Sequence, residues 1–511
     1  MRRELASIAL IGNRKSGAIV SVLSNSVSFG ALFVVIGFYY VFLLSNGTFQ
    51  LFAPEMFGKA FGNMLIHLLH GEFTVDPEAI KSEAYSEAFT RNGKTYAYFG
   101  VFPALLRLVA MPFTDVAQAQ LARLSCLTAT VAFVALQLQM LLHVHNSLPG
   151  AVQEPHLLAV MVAATVLSGP QLYTLAVAWI YHEPILWAAV MAVAFNLIIV
   201  RAAFTGSDLR GRDLVWMAVL AGLSLLTRPT TGVALYVGTT LLILRAALRW
   251  AGRDNAARPK AANLPRLIWA AAFGDRRTVL PILILGAMAA IAGLINFERW
   301  GNPFTFVDLH YATYGKSQTN GLEVLSDYGE FNLGRLWIGA LYYLTGIPWL
   351  LKTVSPFAEF LHARYQTIEA PPVTPLLTNP VTLFFASTGL FRLWWKPELC
   401  SRSVGILRLT LIGHGCTVFL IFTAIALALR YRVDLAPFMT LAALVGYRWT
   451  SIAFAEATDV WRRRLRIAAA GSCFLGILCS QYLLLLYKVW SMGVPPDVRR
   501  ALLPFSPLSP Y

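Results

Sequence analysis

Residues 279–295 read VLPILILGAMAAIAGLI and contain no charged side chain. Arg276 and Arg277 stand before the run, and Glu298 and Arg299 stand after it. A helix needs about 20 mostly apolar residues to cross a bilayer, so this stretch reads as a span with its charges at the two surfaces. The same signal recurs on both sides of it, at Val27–Leu44, Leu121–Leu142, Leu157–Val177, Ile185–Ile199, Val215–Leu226, Val233–Leu248, Val381–Trp395, Ile406–Leu429, Leu435–Tyr447 and Ile467–Tyr487. Together these make about eleven spans, the shorter ones relying on neighbours to cross. The composition agrees: 57% of the 511 residues are hydrophobic, 13% are charged, and the mean hydropathy is +0.60. The expected fold class is an all-α polytopic membrane protein forming one integral membrane domain, residues 1–511. No loop is long enough to hold an ordinary folded domain, which argues against a soluble enzyme on an anchor.

The charges orient the chain. Lys and Arg concentrate in cytoplasmic loops. Here they gather at Arg2, Arg3, Arg14 and Lys15; at Arg201, Arg210 and Arg212; in the basic loop 245–277; and at Arg462, Arg463, Arg464 and Arg466. An N-terminus in the cytoplasm and an odd number of spans put every cluster inside. That predicts a multi-pass protein of the cell inner (plasma) membrane, its first span an uncleaved signal anchor. Phe99–Pro112 and Leu336–Leu351 are apolar but short or broken by Gly and Pro, and are expected to lie flat on the outer face or re-enter it. The net charge of +15 fits basic loops facing anionic lipid better than nucleic-acid binding. Cys126, Cys400, Cys416, Cys473 and Cys479 show no metal-ligand spacing, so neither a disulfide nor a thiolate metal site is expected.

This topology leaves five polar groups of residues on the outer face: the first periplasmic loop, 46–119; Tyr181-His182-Glu183-Pro184; Thr227-Arg228-Pro229-Thr230; Glu298-Arg299, opening a second large periplasmic loop, 298–378; and Arg430-Tyr431-Arg432-Val433-Asp434. Singly, each has a plain explanation. A charge at a span end meets headgroups, and Arg430 and Asp434 have helix ion-pair spacing. Jointly they are unusual. Arg228, Arg299, Arg430 and Arg432 run against the positive-inside bias, and ionisable groups at membrane depth mark function. Arginine forks suit phosphate oxygens. The loop stretch FTVDPEAIKSEAYSEAFTRNGKTYAYFG, from Phe73, adds carboxylates to a basic protein. A sugar on a lipid phosphate leaves as an anion, so its transfer needs cationic donors for that charge and one base for the acceptor hydroxyl.

The pieces NGKTYAYFGVFPALLRL, AWIYHEP, GLSLLTRPTTG, INFERWGNPF and RYRVDLAPF resemble segments of bacterial proteins placed in or near the GT-C class of polytopic glycosyltransferases. That class includes the protein O-mannosyltransferases and the aminoarabinose transferases. The resemblance implies a long first outer loop with membrane-parallel helices and a catalytic acid. It implies a polyprenyl-phosphate-linked sugar as donor, and a glycan, lipid or protein as acceptor. Membrane lipids are the other expected partners, and nucleic acid is not one. Asp76, in a turn-forming Asp-Pro pair, is the favoured base; Glu78, Glu83 and Glu55 are the other acids weighed. Glu83 and Glu87 share a helical side and read as a surface face. Arg228 is the favoured phosphate ligand, followed by Arg430 and Arg432. Glu83, Tyr181, His182, Glu183, Glu298, Arg299 and Asp434 complete the expected substrate-binding set. No cofactor is required by the residues; a divalent cation held by His182 or Glu183 with Asp76 stays open. The rival readings are a secondary transporter or lipid flippase, and a non-catalytic assembly factor.

Overall fold

The computed structural model describes residues 26–81, 86–254, 276–313, 320–351, 354–369, 373–396 and 401–491. Glu83, Tyr85, Tyr314, Cys400, the basic residues ahead of the first span and most of the basic loop lie outside the described residues.

The chain is a helical, multi-pass membrane protein. Among the described residues the apolar stretches become α1 (Ser26–Leu44), α2 (Ala122–Asn146), α3 (Pro155–Leu167), α4 (His182–Thr205), α5 (Gly211–Leu225), α6 (Pro229–Asp254), α7 (Arg276–Trp300), α8 (Pro380–Trp395), α9 (Ser401–Thr423), α10 (Arg432–Glu456) and α11 (Asp459–Ser491). Among the described residues eight helical stretches are long and apolar enough to cross a membrane, counting Pro155–Tyr173, which extends α3, as one; α5 and α8, with 15 and 16 residues, are shorter and pack against longer neighbours. Phe99–Pro112 holds only single-turn helices, and Leu336–Leu351 breaks at Gly346, which has φ 72°. Neither has the length of a span.

Two expected stretches end early, for different reasons. The run Leu157–Val177 stops at Ser168 because Gly169 takes φ 129°, and Pro170 then starts a separate turn through Tyr173. The run Ile406–Leu429 leaves the helix at Thr423. Ala426 and Leu427 then pair in parallel with Thr367 and Ile368, a strand contact the apolar pattern did not announce. In the first loop, where Glu83 and Glu87 were expected to share a helical side, the described helix Pro77–Ile80 is a single turn. Phe89–Arg91 and Lys94–Tyr96 form a hairpin instead, closed by Asn92 (φ 51°) and Gly93 (φ 77°), the backbone that an Asn-Gly turn favours.

The largest apolar core joins α2, α4, α8, α9 and α10, with Phe133, Phe195, Phe385 and Tyr447 fully buried. Close backbone approach makes part of it possible. A Cβ on Gly389 would stand 2.0 Å from the Ala442 carbonyl oxygen, and one on Gly446 would stand 1.8 Å from that of Phe385, so α8 and α10 touch through bare backbone. A second core docks the first loop, through Phe61, Val75, Ile80 and Phe99, onto Leu225, Leu226 and Ile295. Gly100 lies where its Cβ would meet the Leu226 carbonyl at 2.2 Å, so the loop presses on the turn that presents Arg228.

Candidate active site

The outer polar groups of the sequence converge at one end of the bundle. Arg228 follows α5, its amide donating to Ser224 O at 2.7 Å, and Pro229 opens α6. Its guanidinium grips Asp434 with both arms, Nε to Oδ1 at 2.6 Å and NH2 to Oδ2 at 2.8 Å, while Thr231 Oγ1 donates to Oδ1 at 3.2 Å. Arg430 and Asp434 therefore do not form the local pair their spacing suggested. Arg430 reaches instead to Glu369. The parallel pairing of Thr367–Ile368 with Ala426–Leu427 sets that carboxylate: Glu369 N donates to Leu427 O at 2.8 Å, and its Oε2 accepts from Leu429 N at 2.7 Å. Glu369 was not legible beforehand; it is one acid in a long loop with no periodic or motif context.

Aromatic rings line these cations. The Arg430 guanidinium lies 4.6 Å from the Tyr181 ring centre, and that of Arg228 lies 4.7 Å from Tyr431. The Tyr181 hydroxyl in turn donates to Glu87 Oε1. Burial pushes the Glu87 carboxyl above the usual carboxylate range, opposed by the Tyr181 hydrogen bond and the nearby Arg430 charge. The Tyr98 hydroxyl, buried beside Glu87 and Tyr431, is also pushed well up. Glu87 is thus not on a surface face. Among the described residues it is the first-loop acid brought to the arginines.

The other acids go elsewhere. Asp76 is an exposed helix-start residue whose Oδ2 accepts from Asn63 Nδ2 at 2.5 Å and whose Oδ1 lies 3.3 Å from His67 Nε2. Glu55 pairs with Arg123 at 2.6 Å, Glu78 is exposed, and so is Glu298. Glu183 is buried against Arg107 Nη2 at 2.8 Å and Ser125 Oγ at 2.6 Å, an ion pair that locks the Phe99–Pro112 segment to α2 and α4. His182 is fully buried beside Trp179 and Tyr487, and neither ring nitrogen has a hydrogen-bond partner. Asp76, His182 and Glu183 are not brought together for a cation. Among the described residues no group of three or more His, Cys, Asp or Glu is placed to hold a metal ion.

Arg432 differs from its neighbours. It is 6% exposed, its NH1 donates to Val373 O at 2.6 Å, its Nε has no partner, and no carboxylate among the described residues pairs with it. It also lines a cavity of ≈ 110 Å³ that runs between α2, α3, α8 and α10, walled mainly by Leu141, Met161, Leu383, Leu435 and Met439. A buried cation without a counter-ion is costly, so its place at the end of an apolar cavity suits a ligand with a negative head and a hydrocarbon tail.

No protein-family description matches this chain, and no curated protein does. Among solved structures, the chain is similar to the archaeal oligosaccharyltransferase AglB from Archaeoglobus fulgidus in complex with an inhibitory peptide and a dolichol-phosphate. That likeness has a TM-score of 0.43 at 14% identity, covering 94% of this chain and 59% of the other. The A. fulgidus enzyme tethered to an acceptor peptide matches with a TM-score of 0.42 at 14% identity, over 93% of this chain and 58% of the other. Its complex with Zn and sulfate matches with a TM-score of 0.39 at 14% identity, over 94% and 58%. This chain therefore spans about three-fifths of the length of the structures it resembles.

Proposed function

We propose that this chain is a membrane glycosyltransferase of the GT-C type. It moves a sugar from a polyprenyl-phosphate donor to an acceptor hydroxyl at the periplasmic face of the inner membrane. One observation carries the reading: Arg432, a buried arginine with no carboxylate partner among the described residues, lines the apolar cavity of ≈ 110 Å³ and stands two residues from Arg430, which lies against Tyr181 and Glu87.

The roles follow from what each group has left to give. Arg432 takes the donor phosphate, because its charge has no anionic partner and its Nε–H is unused. The two arms of Arg228 are held by Asp434, so it fixes the cluster and contributes field more than contact. Arg430, clamped by Glu369 and facing Tyr181, stabilises the charge that grows on the leaving phosphate. Glu87 is the base. Tyr181 occupies one carboxylate oxygen and orients the other for the acceptor hydroxyl, while the positive charge of Arg430 favours the ionised form that burial opposes. The C1–O bond to the phosphate breaks, the acceptor oxygen bonds to C1, its proton passes to Glu87, and the lipid phosphate leaves as an anion.

The test uses the purified full chain with a panel of short-chain polyprenyl-phosphate sugars. Wild type is expected to bind and consume at least one donor, Arg432→Ala to lose binding, and Glu87→Gln to bind without turnover. Folded wild type that neither binds nor consumes any donor overturns the reading. An Asp76→Asn variant that binds donor but is inactive, beside an active Glu87→Gln, moves the base to Asp76.

A further inference from the structure

A second buried arginine lacks an anionic partner, and it lies away from the large cavity. Arg299 lies in the last turn of α7 and is 3% exposed. Its NH1 donates to Phe99 O at 2.9 Å, its NH2 lies 3.8 Å from Met64 Sδ, and its Nε has no partner. No carboxylate among the described residues pairs with it; the adjacent Glu298 is exposed. The carbonyl bond and the end of the helix dipole ease the charge without neutralising it. Leaving a desolvated guanidinium like this is expensive, and the groups around it could equally have included an acid. Arg299 instead lines a separate small cavity of ≈ 30 Å³ with Asn296, Tyr98, Ala292 and Phe306.

Tyr98 ties this cavity to the transferase site. It lines the cavity, and its ring centre lies 4.2 Å from that of Phe99, which in turn stands edge-on to Tyr181 at 5.9 Å. We infer that the Arg299 cavity is the acceptor subsite, and that the acceptor carries an anionic group, a phosphate or a carboxylate, which Arg299 holds while a hydroxyl of the same molecule reaches Glu87. The acceptor half of this inference rests on the transferase reading; the anion site stands on Arg299 and its cavity alone.

The experiment is built to separate the two. The full chain in detergent is titrated with sodium phosphate, and separately with sodium acetate, at constant ionic strength, following the unfolding temperature. Wild type is expected to give a saturable rise. Arg299→Gln should weaken the apparent affinity by about tenfold or more, the loss expected for one charged hydrogen bond. Because Arg299 also braces the Phe99 carbonyl, Ala292→Leu is the second variant: it fills the cavity and leaves Arg299 in place, and it should weaken the affinity equally. A rise with phosphate alone assigns a phosphorylated acceptor, and a rise with both anions admits a carboxylated one. No saturable rise in wild type, or an unchanged affinity in folded Ala292→Leu, overturns the inference. Binding of a short-chain polyprenyl phosphate is measured on the same samples and should be unaffected by Ala292→Leu. If wild type binds the small anion at Arg299 but no polyprenyl phosphate, the transferase reading falls and the anion site remains.

Discussion

The two ends of the helix bundle use arginine in opposite ways. At one end Arg107 and Glu183 have side chains 5% and 1% exposed, and Arg228 and Asp434 are 18% and 1% exposed. At the other end Arg466 and Glu154 are 39% and 12% exposed, and Arg462 and Asp459 are 36% and 99% exposed. The same residue type thus meets water at one end and has been taken out of it at the other. Exposed pairs are screened and contribute little, whereas a buried charge must be matched by an acid or by a ligand. The comparison teaches where to look for function: not where arginines are most numerous, but where they are dry and incompletely paired. Arg432 and Arg299 meet both conditions.

The sharpest way to break this contrast is at Glu87, the acid that shares the dry end. Glu87→Gln keeps the shape and removes the base, so turnover should fall by about 10²–10⁴-fold with donor binding retained. Single-turnover sugar transfer on the folded variant measures it; undiminished transfer would make the Glu87–Tyr181 contact structural. Next in size is the buried pair. Arg228→Ala leaves Asp434 charged and unpaired in the interior and should destabilise the protein by about 3–5 kcal/mol, read as a lower unfolding temperature in detergent. The double change Arg228→Met with Asp434→Leu should recover much of that stability but not activity. A double variant as unstable as the single would mean that packing, and not the stranded charge, dominates.

The pH profile sharpens the same point by a smaller amount. Burial raises the Glu87 carboxyl, and a base works only when ionised. Activity is therefore lost as pH falls through that raised value, and the acid limb of kcat/KM should lie above the range near 4.3 of an ordinary glutamate. The Tyr181 hydrogen bond opposes the rise, so Tyr181→Phe should move the limb to still higher pH. A limb that does not move separates the base from Tyr181.

What the sequence made legible follows from the range of each interaction. The helices were readable because apolar runs are a local signal: each run from Val27 to Tyr487 marks one of the helices α1 to α11, though Leu157–Val177 and Ile406–Leu429 overrun theirs. The outer groups at Tyr181, Arg228 and Arg430 were also readable, since each breaks the positive-inside bias or lies at a span end; they do come together. The partners were not. Arg228 meets Asp434 across 206 positions and Arg430 meets Glu369 across 61, while the Arg430–Asp434 spacing pointed to a local pair that the 3₁₀ turn Leu429–Tyr431 ahead of α10 prevents. Glu87 read as part of a surface face because a helical wheel put it beside Glu83, yet the described helix ends at Ile80 and Glu87 stands just ahead of the strand Phe89–Arg91.

The smallest expected effect belongs to the wet end, and it tests the comparison from its weak side. Arg466 holds Glu154 through two contacts, at 3.2 and 3.1 Å, joining α11 to the start of α3. On geometry alone this pair looks as well made as that of Arg228 with Asp434. Its exposure says otherwise on one side: the Arg466 side chain is 39% exposed, so solvent and salt screen the pair, and Glu154, though only 12% exposed, keeps His156 Nδ1 at 3.0 Å when Arg466 is lost. Arg466→Ala should therefore change stability by no more than about 1 kcal/mol, and the change should shrink further at high salt. The Arg228→Ala loss should persist, because no salt reaches an Asp434 buried in the interior. Unfolding temperatures of the two variants at low and high sodium chloride make the measurement. If both losses fade together, burial does not separate the two ends, and the dry arginines lose their claim as the place where a charged ligand binds.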